Sequence, residues 1–513
     1  MTMWLKELLD TEHVEEVQGD LDRQVGGLAY DSRRVRDGDI FFALPGTVTD
    51  GHDFVDDAVE RGAAAVVVER RVPLPRKVTW VRVQNVRRTM GRWAAAYYAH
   101  PSRRMALVGV TGTNGKTTAT YLLESIFAAA GMPCGVIGTI NYRYGNHVFP
   151  APYTTPEAVD LQALLAEMAA AGVCSLGMEV SSHALEMERV RGIDFDGALF
   201  TNLSRDHLDF HGDMERYFLA KQRLFTDYLV ESSKLKKFAV IHGSDPRGRE
   251  LLEAVVHAGL EAVSYGLEAE WDIHPVEFSS NLDGLRGAIQ IKGHQVSFST
   301  GLIGAANMEN VLGAVAVGFA LGIPQGSIIK GLAAVIAVPG RLERIANDRG
   351  ITVLVDYAHT PDALERVLRA LRPLTQGRLL VLFGCGGDRD PGKRPIMGEI
   401  AAELGDLVLL TSDNPRTENP ARILEAVEEG VRRRGMARLA LPGARGRVED
   451  RSTGYWVEPD RRAAIGLGLR LARDKDLFLI AGKGHEDYQI IGRERIHFDD
   501  REVVRAELER LPI

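Results

Sequence analysis

The sequence predicts an α/β fold in three consecutive domains, and three observations support this prediction. The chain has 513 residues, and at about 150 residues per domain this length corresponds to roughly three domains. Beyond residue 102, short apolar runs alternate with helical patterns, which is typical of parallel sheets covered by helices on both faces. Breaks at Pro101 and at Pro339-Gly340 mark two boundaries. We therefore predict domains at 1–101, 102–338 and 339–513.

The predicted elements follow from apolar runs and from the residues that end them. In the first domain, RGAAAVVVE and KVTWVRV are predicted strands, and NVRRTMGRWAAAYYAHP is a predicted helix that ends at Pro101. In the second domain, predicted strands MALVGV, VCSLGMEVS and DGALFTNL alternate with predicted helices TTATYLLESIFAAAG and EAVDLQALLAEMAAAG. The third domain contains the predicted strands ITVLVDYA, RLLVLFGCGG, LVLLTSDNP and LFLIAGKG. Each of these ends in polar or glycine residues, and ligands of open α/β sheets bind at such carboxyl ends.

The composition excludes several classes of protein. Hydrophobic residues form 45% of the chain, which is enough apolar surface to offset the entropy of ordering a globular fold. The net charge of −8 argues against general nucleic-acid binding, which needs a basic face. The longest apolar run, 311–323, is predicted to be a buried helix because it is shorter than the roughly 20 residues of a membrane span. Three widely spaced cysteines and the lack of an apolar signal core predict a cytoplasmic protein, and we expect a monomer.

The strongest motif is GVTGTNGKTT, residues 109–118, which we call the glycine-rich loop. It follows a predicted strand and precedes a predicted helix, so that backbone N–H groups and a helix N-terminus can hold phosphate. In such loops the lysine reaches the β and γ phosphates, and the next hydroxyl can bind magnesium. Val110 replaces the first glycine of the strict pattern, and a tight turn without a ligand is the alternative. Lys116, Thr117 and Thr118 nevertheless favour nucleotide binding.

Charged side chains follow other predicted strands of the second and third domains. Glu179 ends one apolar strand, and the segment FTNLSRDHLDFHGDMERYFLAKQRLF contains Asp206, His207 and Lys221. Carboxylate and imidazole ligands at strand ends suit magnesium beside a phosphate-binding loop. Taken singly, each of these residues also fits a structural role, as a capping carboxylate, a core histidine or a surface lysine.

The third domain carries motifs that suit an amino-acid-like ligand. The loop FGCGGDRDPGKRP lacks the dinucleotide fingerprint because Arg389 occupies the position of its third glycine, so we exclude NAD. The segments TSDNPRTENP and AGKGHEDYQ follow two other predicted strands. Arginines and carboxylates that meet at the ends of a sheet suit a zwitterion, since both charges of the ligand then find a partner.

Taken in order, these motifs resemble those of the Mur ligase family. The motifs are TGTNGKTT, EVSSHAL, TNLSRDHLDFHG, NMEN, PGRLE, DYAHTPD, GCGGDRDPGKRP, DNPR and GKGHE, and the resemblance extends back to YDSRRV at 30–35. It implies an N-terminal UDP-binding domain, a central domain with a P-loop ATPase-like parallel sheet, and a C-terminal Rossmann-like domain. It also implies an ATP- and Mg²⁺-dependent ligase of peptidoglycan synthesis, which joins meso-2,6-diaminopimelate to UDP-N-acetylmuramoyl-L-alanyl-D-glutamate through an acyl phosphate.

The resemblance implies roles for individual residues. The expected catalytic residues are Lys116, Glu179, His207 and Lys221, the last as a carbamate. The expected ATP contacts are Gly112, Thr113, Asn114, Gly115, Lys116, Thr117, Thr118, Asn307 and Asp356, and the expected Mg²⁺ ligands are Thr117, Glu179, His207 and carbamylated Lys221. The expected contacts to the UDP-linked substrate are Tyr30, Ser32, Thr47, Val48, Thr49, Tyr153, Thr154, Thr155, Ser181, Met187 and Arg189. The expected diaminopimelate contacts are Arg389, Asp413, Asn414, Pro415, Arg416, Gly482 and Glu486.

Within the family, the DNPR motif implies diaminopimelate rather than L-lysine as the amino acid. Diaminopimelate carries an extra carboxylate, which the fork of Arg416 can bind. Two positions depart from the usual motifs: Met187-Glu188 replaces glutamine-glycine, and Tyr153 stands where some members have asparagine. Two alternatives remain: a folylpolyglutamate synthase, which would need neither the DSR segment nor DNPR, and a P-loop switch or motor ATPase, which would leave the charged cluster of the third domain unused.

Overall fold

The computed structural model describes residues 3–9, 14–46, 49–72, 78–440 and 453–511. Three mainly parallel sheets follow one another along the chain, and antiparallel strands occur only at their edges. This arrangement confirms the predicted α/β class with three domains. Within the described residues, no helix combines the length and the apolar composition that are needed to cross a membrane.

The first sheet has five strands, of which only the first is antiparallel to its neighbour. In spatial order the strands are Glu16–Gln18, Thr79–Arg82, Ala65–Val68, Asp39–Phe42 and Gly27–Ala29. A separate pair of strands is formed by Met3–Trp4 and Gln24–Val25. The helices of this region are Leu5–Leu9, Val55–Glu60 and Val86–Tyr97, and its 3₁₀ turns are Ser32–Arg34, Gly51–Phe54 and Pro101–Arg104. The long helix packs on the sheet through Trp93, whose ring centroid lies 6.0 Å from that of Phe42.

The second sheet has eleven strands, and seven of them pair in parallel at its centre. In spatial order the strands are His147–Pro150, Asn141–Tyr144, Cys134–Ile137, Ser175–Glu179, Ala106–Thr111, Gly197–Phe200, Phe238–His242, Glu261–Tyr265, Ile273–Asn281, Gly284–Ile291 and His294–Thr300. The parallel centre includes all three strands predicted for this domain. The hairpins at both edges were not predicted.

Helices cover both faces of this central sheet. They are Lys116–Ala129, Ala158–Ala170, Ser182–Glu186, Leu208–His211, Met214–Arg223, the π-helical turn Leu224–Tyr228, Leu229–Glu231, Pro246–His257, Ala306–Ala320 and Gln325–Ala334. The run 311–323 lies mostly in Ala306–Ala320, where Val311, Leu312 and Val315 are completely buried. It is therefore a buried helix, as predicted.

The third sheet has six strands, and only its first strand is antiparallel. In spatial order the strands are Glu343–Ile345, Thr352–Asp356, Leu477–Ala481, Leu379–Phe383, Leu407–Leu410 and Gly454–Val457. The remaining elements are helices Pro361–Leu371, Lys393–Leu404, Pro420–Arg433, Arg461–Leu471 and Asp500–Arg510, the 3₁₀ turn Arg372–Leu374, and the hairpin Tyr488–Ile491 with Glu494–His497. The four predicted strands are adjacent, so the motifs that follow them meet at one edge.

A buried ion pair fixes the last helix beneath that edge. Arg461 donates to both carboxylate oxygens of Asp500 at 2.7 Å, and neither side chain is exposed. The same guanidinium donates to the carbonyl of Ala481 at 3.0 Å. Each of these two buried charges requires the other as its partner, because a buried charge without a counter-ion is strongly destabilising.

We predict that Asp500→Asn lowers stability by about 3–5 kcal/mol, because it leaves the Arg461 charge buried without a counter-ion. Differential scanning calorimetry of the whole protein measures the change as a lower unfolding temperature. Glu502→Gln in the same helix is the matched control, since Glu502 pairs with His497 at the surface and exposed pairs contribute little. Equal unfolding temperatures for the two variants would contradict the prediction.

Candidate active site

The glycine-rich loop connects the strand Ala106–Thr111 to the helix that begins at Lys116. Gly112 has φ +147° and Gly115 has φ +87°, values that side chains rarely adopt. A Cβ atom at Gly112 would lie 1.9 Å from Thr201 Oγ1, so the close contact with the neighbouring strand end also requires glycine. Asn202 holds the loop by accepting from the Asn114 amide at 2.9 Å and from the Thr113 amide at 2.8 Å.

The ammonium group of Lys116 lies over this loop. It donates to the carbonyls of Gly112 and Thr113, both at 2.8 Å. Burial lowers the pKa of Lys116, although Glu179 and Asp206 oppose the shift. The loop therefore combines backbone N–H groups, a helix N-terminus and a lysine, which are the groups that bind nucleotide phosphates.

A cavity of about 310 Å³ separates the glycine-rich loop from the third domain. Of the predicted ATP residues, the segment 113–118, Asn307 and Asp356 line it. Asp356 is buried, and its carboxylate accepts from the backbone amides of Leu342 and Ala358, both at 2.8 Å. Asp356 therefore also fixes the chain where it enters the third domain.

Two further cavity residues were not predicted, although both lie in quoted motifs. Asn310 of NMEN donates to Asn307 Oδ1 at 2.9 Å, and its spacing of three on a helix was the available signal. Arg341 of PGRLE donates to Thr117 Oγ1 at 3.3 Å, and its guanidinium lies 4.6 Å from the centroid of the Tyr357 ring. Arg341 therefore connects the entry to the third domain with the hydroxyl next to Lys116.

Glu179 forms the opposite wall of the same cavity. Its carboxylate accepts from the amide and from the hydroxyl of Thr139, both at 3.0 Å. Thr139 Oγ1 lies 3.1 Å from Thr154 Oγ1, so one row of polar groups links Thr154 to Glu179. Thr155 is different: it is completely buried, and its hydroxyl donates to the carbonyl of Glu179 at 2.9 Å and accepts from the Ser181 amide. It supports the strand end and does not line the cavity.

The residues near Lys116 fit a magnesium ion that a ligand phosphate helps to hold. Thr117, Glu179, Asp206 and His207 all line the cavity. Burial lowers the pKa of His207 to about 4, so the imidazole is neutral and its lone pair is available. Among the described residues, no three His, Cys, Asp or Glu side chains form a preformed metal cage. Mg²⁺ is usually held by one or two carboxylates together with substrate phosphates, and this donor set has that composition.

Lys221 is buried, with 1% of its surface exposed. The alternative interpretation of the sequence, that this residue is a surface lysine, is therefore wrong. Its amine donates to the carbonyl of Gly112 at 2.9 Å and lies 4.5 Å from the ring centroid of Tyr217. Burial, reinforced by the nearby Lys116, lowers the pKa of Lys221 well below its ordinary value. Burial therefore favours the unprotonated form of this amine, which is the form that reacts as a nucleophile.

The residues predicted for the UDP-linked substrate occupy two places. Tyr30 lines a separate cavity of about 650 Å³ between the first domain and the helix Ala158–Ala170, where its hydroxyl donates to Asp160. Thr154 and Ser181 line the cavity at the glycine-rich loop. Ser32 is buried and Thr49 is exposed, whereas Thr47 and Val48 lie outside the described residues.

Arg189 and the two unusual residues before it lie between these places. Arg189 donates to the carbonyl of Thr155 at 3.1 Å, and its guanidinium lies 5.0 Å from the Tyr153 ring centroid. The sulfur of Met187 lies 3.5 Å from an Arg189 nitrogen. Glu188 has φ +55°, so the chain keeps the left-handed conformation that glycine provides in the usual motif.

The residues predicted for the amino acid meet at the carboxyl edge of the third sheet. The loop 384–387 packs directly on the loop Asn414–Arg416, and a Cβ at Gly387 would lie 1.9 Å from the carbonyl oxygen of Pro415. Arg416 has φ +50°, and its guanidinium donates to the carbonyl of Gly387 at 2.7 Å. Its amide donates to the carbonyl of Ile490 at 3.1 Å, so the unpredicted hairpin fixes the arginine. Arg389 is exposed at the rim.

Asp413, Asn414 and Glu486 form the buried floor of this pocket. Asn414 Nδ2 donates to Glu486 Oε2 at 3.0 Å. Burial, with a contribution from Asp413, raises the pKa of Glu486. Asp413 Oδ1 is buried without a hydrogen bond from any described residue. Tyr357 connects this pocket to the first cavity, because it lines that cavity and its ring centroid lies 5.0 Å from that of His485.

This fold and site define a class of protein, in which a glycine-rich loop faces, across a cavity, a second α/β domain whose sheet edge carries arginines and carboxylates. Models of the Mur ligase family match in three segments, described as the family's catalytic domain (residues 24–98), its middle domain (110–318) and its glutamate ligase domain (340–484). Together they cover most of the chain. The protein therefore belongs to the Mur ligase family.

Individual relatives agree with this assignment. The UDP-N-acetylmuramoyl-L-alanyl-D-glutamate--2,6-diaminopimelate ligase of Geobacter metallireducens is 47% identical over 515 residues, which cover 99% of each chain. A solved structure of an enzyme with that name has a TM-score of 0.70 and 31% identity, with 99% of each chain covered. The folylpolyglutamate synthase of Mycobacterium tuberculosis, solved with ADP and AMPPCP, has a TM-score of 0.63 at 18% identity and covers 83% of this chain and 96% of its own, which indicates a shared fold.

We predict that Lys116→Ala weakens ATP binding by roughly 10- to 100-fold, because charge-assisted hydrogen bonds contribute about 1.5–3 kcal/mol. Isothermal titration with a non-hydrolysable ATP analogue measures the dissociation constant. Lys330→Ala, on an exposed helix position of the same domain, is the control and should bind as the unmodified protein does. Equal affinities for a folded Lys116→Ala variant and the control would contradict the site.

Proposed function

We propose that the protein is an ATP-dependent ligase that adds meso-2,6-diaminopimelate to UDP-N-acetylmuramoyl-L-alanyl-D-glutamate during peptidoglycan synthesis. One observation carries the proposal: Tyr357 of the third domain lines the same cavity as the phosphate-binding loop of the second domain, and its ring lies 5.0 Å from that of His485, next to Glu486 of the charged cluster. The near full-length likeness to relatives named for this reaction supports the same conclusion.

The reaction needs an activated carboxylate, because a carboxylate anion is a poor electrophile. In the proposed sequence the γ-carboxylate of D-glutamate attacks the γ phosphorus of ATP, ADP leaves, and an acyl phosphate forms. The amine of diaminopimelate then attacks the acyl carbon, the C–O bond to phosphate breaks, and an amide forms as the amine loses a proton. The protein contributes positioning and cationic stabilisation of the transferring phosphoryl group.

The residues that line the first cavity have different roles in this reaction. Lys116 and the glycine-rich loop bind the ATP phosphates, and Asn307 and Asp356 lie where the nucleoside would bind. Thr117, Glu179 and His207 would hold Mg²⁺, which supplies positive charge to the phosphates when bound. Thr154 and Ser181 line the same cavity and would hold the muramoyl dipeptide together with Arg189, which contacts Thr155, whereas Tyr30 in the 650 Å³ cavity would contact the UDP end.

The pocket of the third domain suits the far end of diaminopimelate. Arg416 would bind the distal carboxylate through its planar fork, with Arg389 beside it at the rim. Asp413 and Glu486 would receive the ammonium group, since both are acidic and Asp413 Oδ1 has no hydrogen-bond partner among the described residues. L-lysine has the ammonium but lacks the carboxylate, so Arg416 would discriminate between the two amino acids.

The wider expectations belong to the same proposal. We place the domain boundaries near residues 101 and 338, with closure of the third domain around Pro339-Gly340. We further propose that the enzyme acts as a cytoplasmic monomer and thereby supports cell-wall synthesis, cell shape and cell division.

The function is tested by measuring phosphate release with combinations of ATP, Mg²⁺, the UDP-linked dipeptide and an amino acid. We expect turnover only when all four are present, and a preference for meso-diaminopimelate over L-lysine when both compete. Turnover without the dipeptide would favour a switch or motor ATPase, and turnover with a folate substrate would favour a folylpolyglutamate synthase.

In the same assay, Arg416→Ala should lower kcat/KM for diaminopimelate at least about tenfold, because a charge-assisted hydrogen bond of about 1.5–3 kcal/mol is lost. Arg422→Ala, at an exposed position of the next helix, is the control. The specificity assignment fails if Arg416→Ala keeps the kinetics of the control, or if the unmodified enzyme prefers L-lysine.

A second prediction concerns the carbamate of Lys221. A neutral buried amine can add CO₂ and become an anion next to the phosphate site, so Lys221→Ala should lower turnover by roughly 100-fold. Formate or acetate, placed where the carbamate would lie, should restore part of the activity, and ¹³C-labelled bicarbonate should give a carbamate NMR signal that the variant lacks. Lys236→Ala, on the surface, is the control. An active enzyme without that signal would contradict the carbamate.

A further inference from the structure

The loop after the strand Leu477–Ala481 contains a lysine, Lys483, whose side chain is completely buried. Its ammonium nitrogen lies 3.2 Å from Glu486 Oε2, 3.3 Å from Asn414 Oδ1 and 3.7 Å from Asp413 Oδ1. All three oxygen atoms belong to the floor of the amino-acid pocket. Lys483 itself was not among the predicted site residues.

The charges of this cluster do not cancel. Asp413 and Glu486 supply two negative charges and Lys483 supplies one positive charge, which leaves one negative charge in a buried space. Arg461, which interacts electrostatically with Asp413 and Glu486, adds little to this balance because it is paired with Asp500. Buried charge is costly unless it is paired, so one ligand ammonium would complete the balance. A diamino acid brings such a group.

Lys483 also fixes the direction of the two side chains that it contacts. Asn414 Oδ1 accepts from Lys483 and from the amide of Ile490, at 3.3 and 3.0 Å, and this leaves Asn414 Nδ2 to donate to Glu486. Burial and the adjacent Asp413 raise the pKa of Glu486, and the ammonium of Lys483 opposes that shift. Without Lys483, the adjacent carboxylates of Asp413 and Glu486 would have no shared counter-ion in a buried space.

We propose that Lys483 is a positioning residue for the amino-acid substrate: it neutralises one of the two floor carboxylates and orients Glu486 and Asn414, so that the pocket presents one unpaired negative charge to one ammonium group. This inference rests on the proposed function, since it concerns how the same pocket recognises diaminopimelate. In this proposal Asp413 and Glu486 contact the substrate, whereas Lys483 sets the net charge of the pocket floor.

The first test replaces the buried ammonium by an apolar chain of similar length. Lys483→Met should raise the KM for diaminopimelate about tenfold, because Glu486 and Asn414 lose the donor that orients them and the floor then holds two negative charges for one ligand ammonium. The KM values for ATP and for the UDP-linked dipeptide should change less than about twofold, because neither binds in this pocket. Lys475→Met, an exposed lysine of the same domain, is the matched control.

The second test separates charge balance from a purely structural role. Asp413→Asn alone leaves Glu486 and Lys483 to cancel each other, so it should weaken diaminopimelate binding. The double variant Asp413→Asn, Lys483→Met restores one unpaired negative charge on Glu486, and its KM for diaminopimelate should be lower than that of Asp413→Asn. A structural lysine predicts the reverse order, because a second lesion would add to the first.

The order of these two variants decides the inference even if Lys483→Met alone does not fold. A double variant that binds diaminopimelate no better than Asp413→Asn overturns the proposal, and so does a folded Lys483→Met with an unchanged KM for diaminopimelate. Equal increases in all three KM values overturn it as well. Failure of the proposed function gives a different result, because the unmodified enzyme would then not join diaminopimelate to the dipeptide at all.

Discussion

Parallel pairing is the constraint on which this molecule depends. Parallel strands place all of their carboxyl ends at one edge, and here the edges of the second and third sheets both contribute to one working surface. The glycine-rich loop and Glu179 follow strands of the second sheet, whereas Tyr357 and the loop from Gly482 follow strands of the third. Residues as far apart along the chain as Thr113 and Ala370 therefore line one cavity, with the backbone between the domains held by Asp356.

Close approach of backbones is the second requirement, and glycine meets it. The glycine-rich loop touches the neighbouring strand end through Gly112, and the loop 384–387 touches the DNPR loop through Gly387. In both places a single methyl group would overlap another atom. The second contact explains why a glycine-rich loop without a dinucleotide fingerprint lies in the third domain: its glycines make room for the neighbouring loop, and that contact allows Gly387 to accept from Arg416.

The parts of this fold that the sequence predicts are those with a local signal. Buried strands are apolar runs, and the charged motifs follow them directly, so both the parallel core and the position of the site could be read in advance. The strand Ile273–Asn281, which lies next to the edge hairpin of the second sheet, is largely exposed and has no apolar run, which is why it was missed. The environment of a side chain depends on distant elements: the complete burial of Thr155, Lys221 and Lys483 could not be inferred from their neighbours in sequence.

The buried charges divide into two groups, and this division separates support from function. Arg461 with Asp500 and Glu188 with Arg191 are paired at 2.6–2.7 Å and stabilise the framework. Although burial opposes it, the guanidiniums of Arg191 and Arg223 hold the pKa of Glu188 low, and these pairs offset the strain of its left-handed backbone, about 1–2 kcal/mol. Neither Lys221 nor Asp413 has an ion pair this short: Lys221 is a buried amine beside the phosphate loop, and Asp413 lies 3.7 Å from Lys483 and keeps an acceptor free of hydrogen bonds from the described residues. A folded chain tolerates incompletely paired groups of this kind at sites where a ligand supplies the missing partner. Lys221 accordingly lies where the proposed chemistry needs a carbamate anion, and Asp413 lies where it needs a partner for the ammonium group of the substrate.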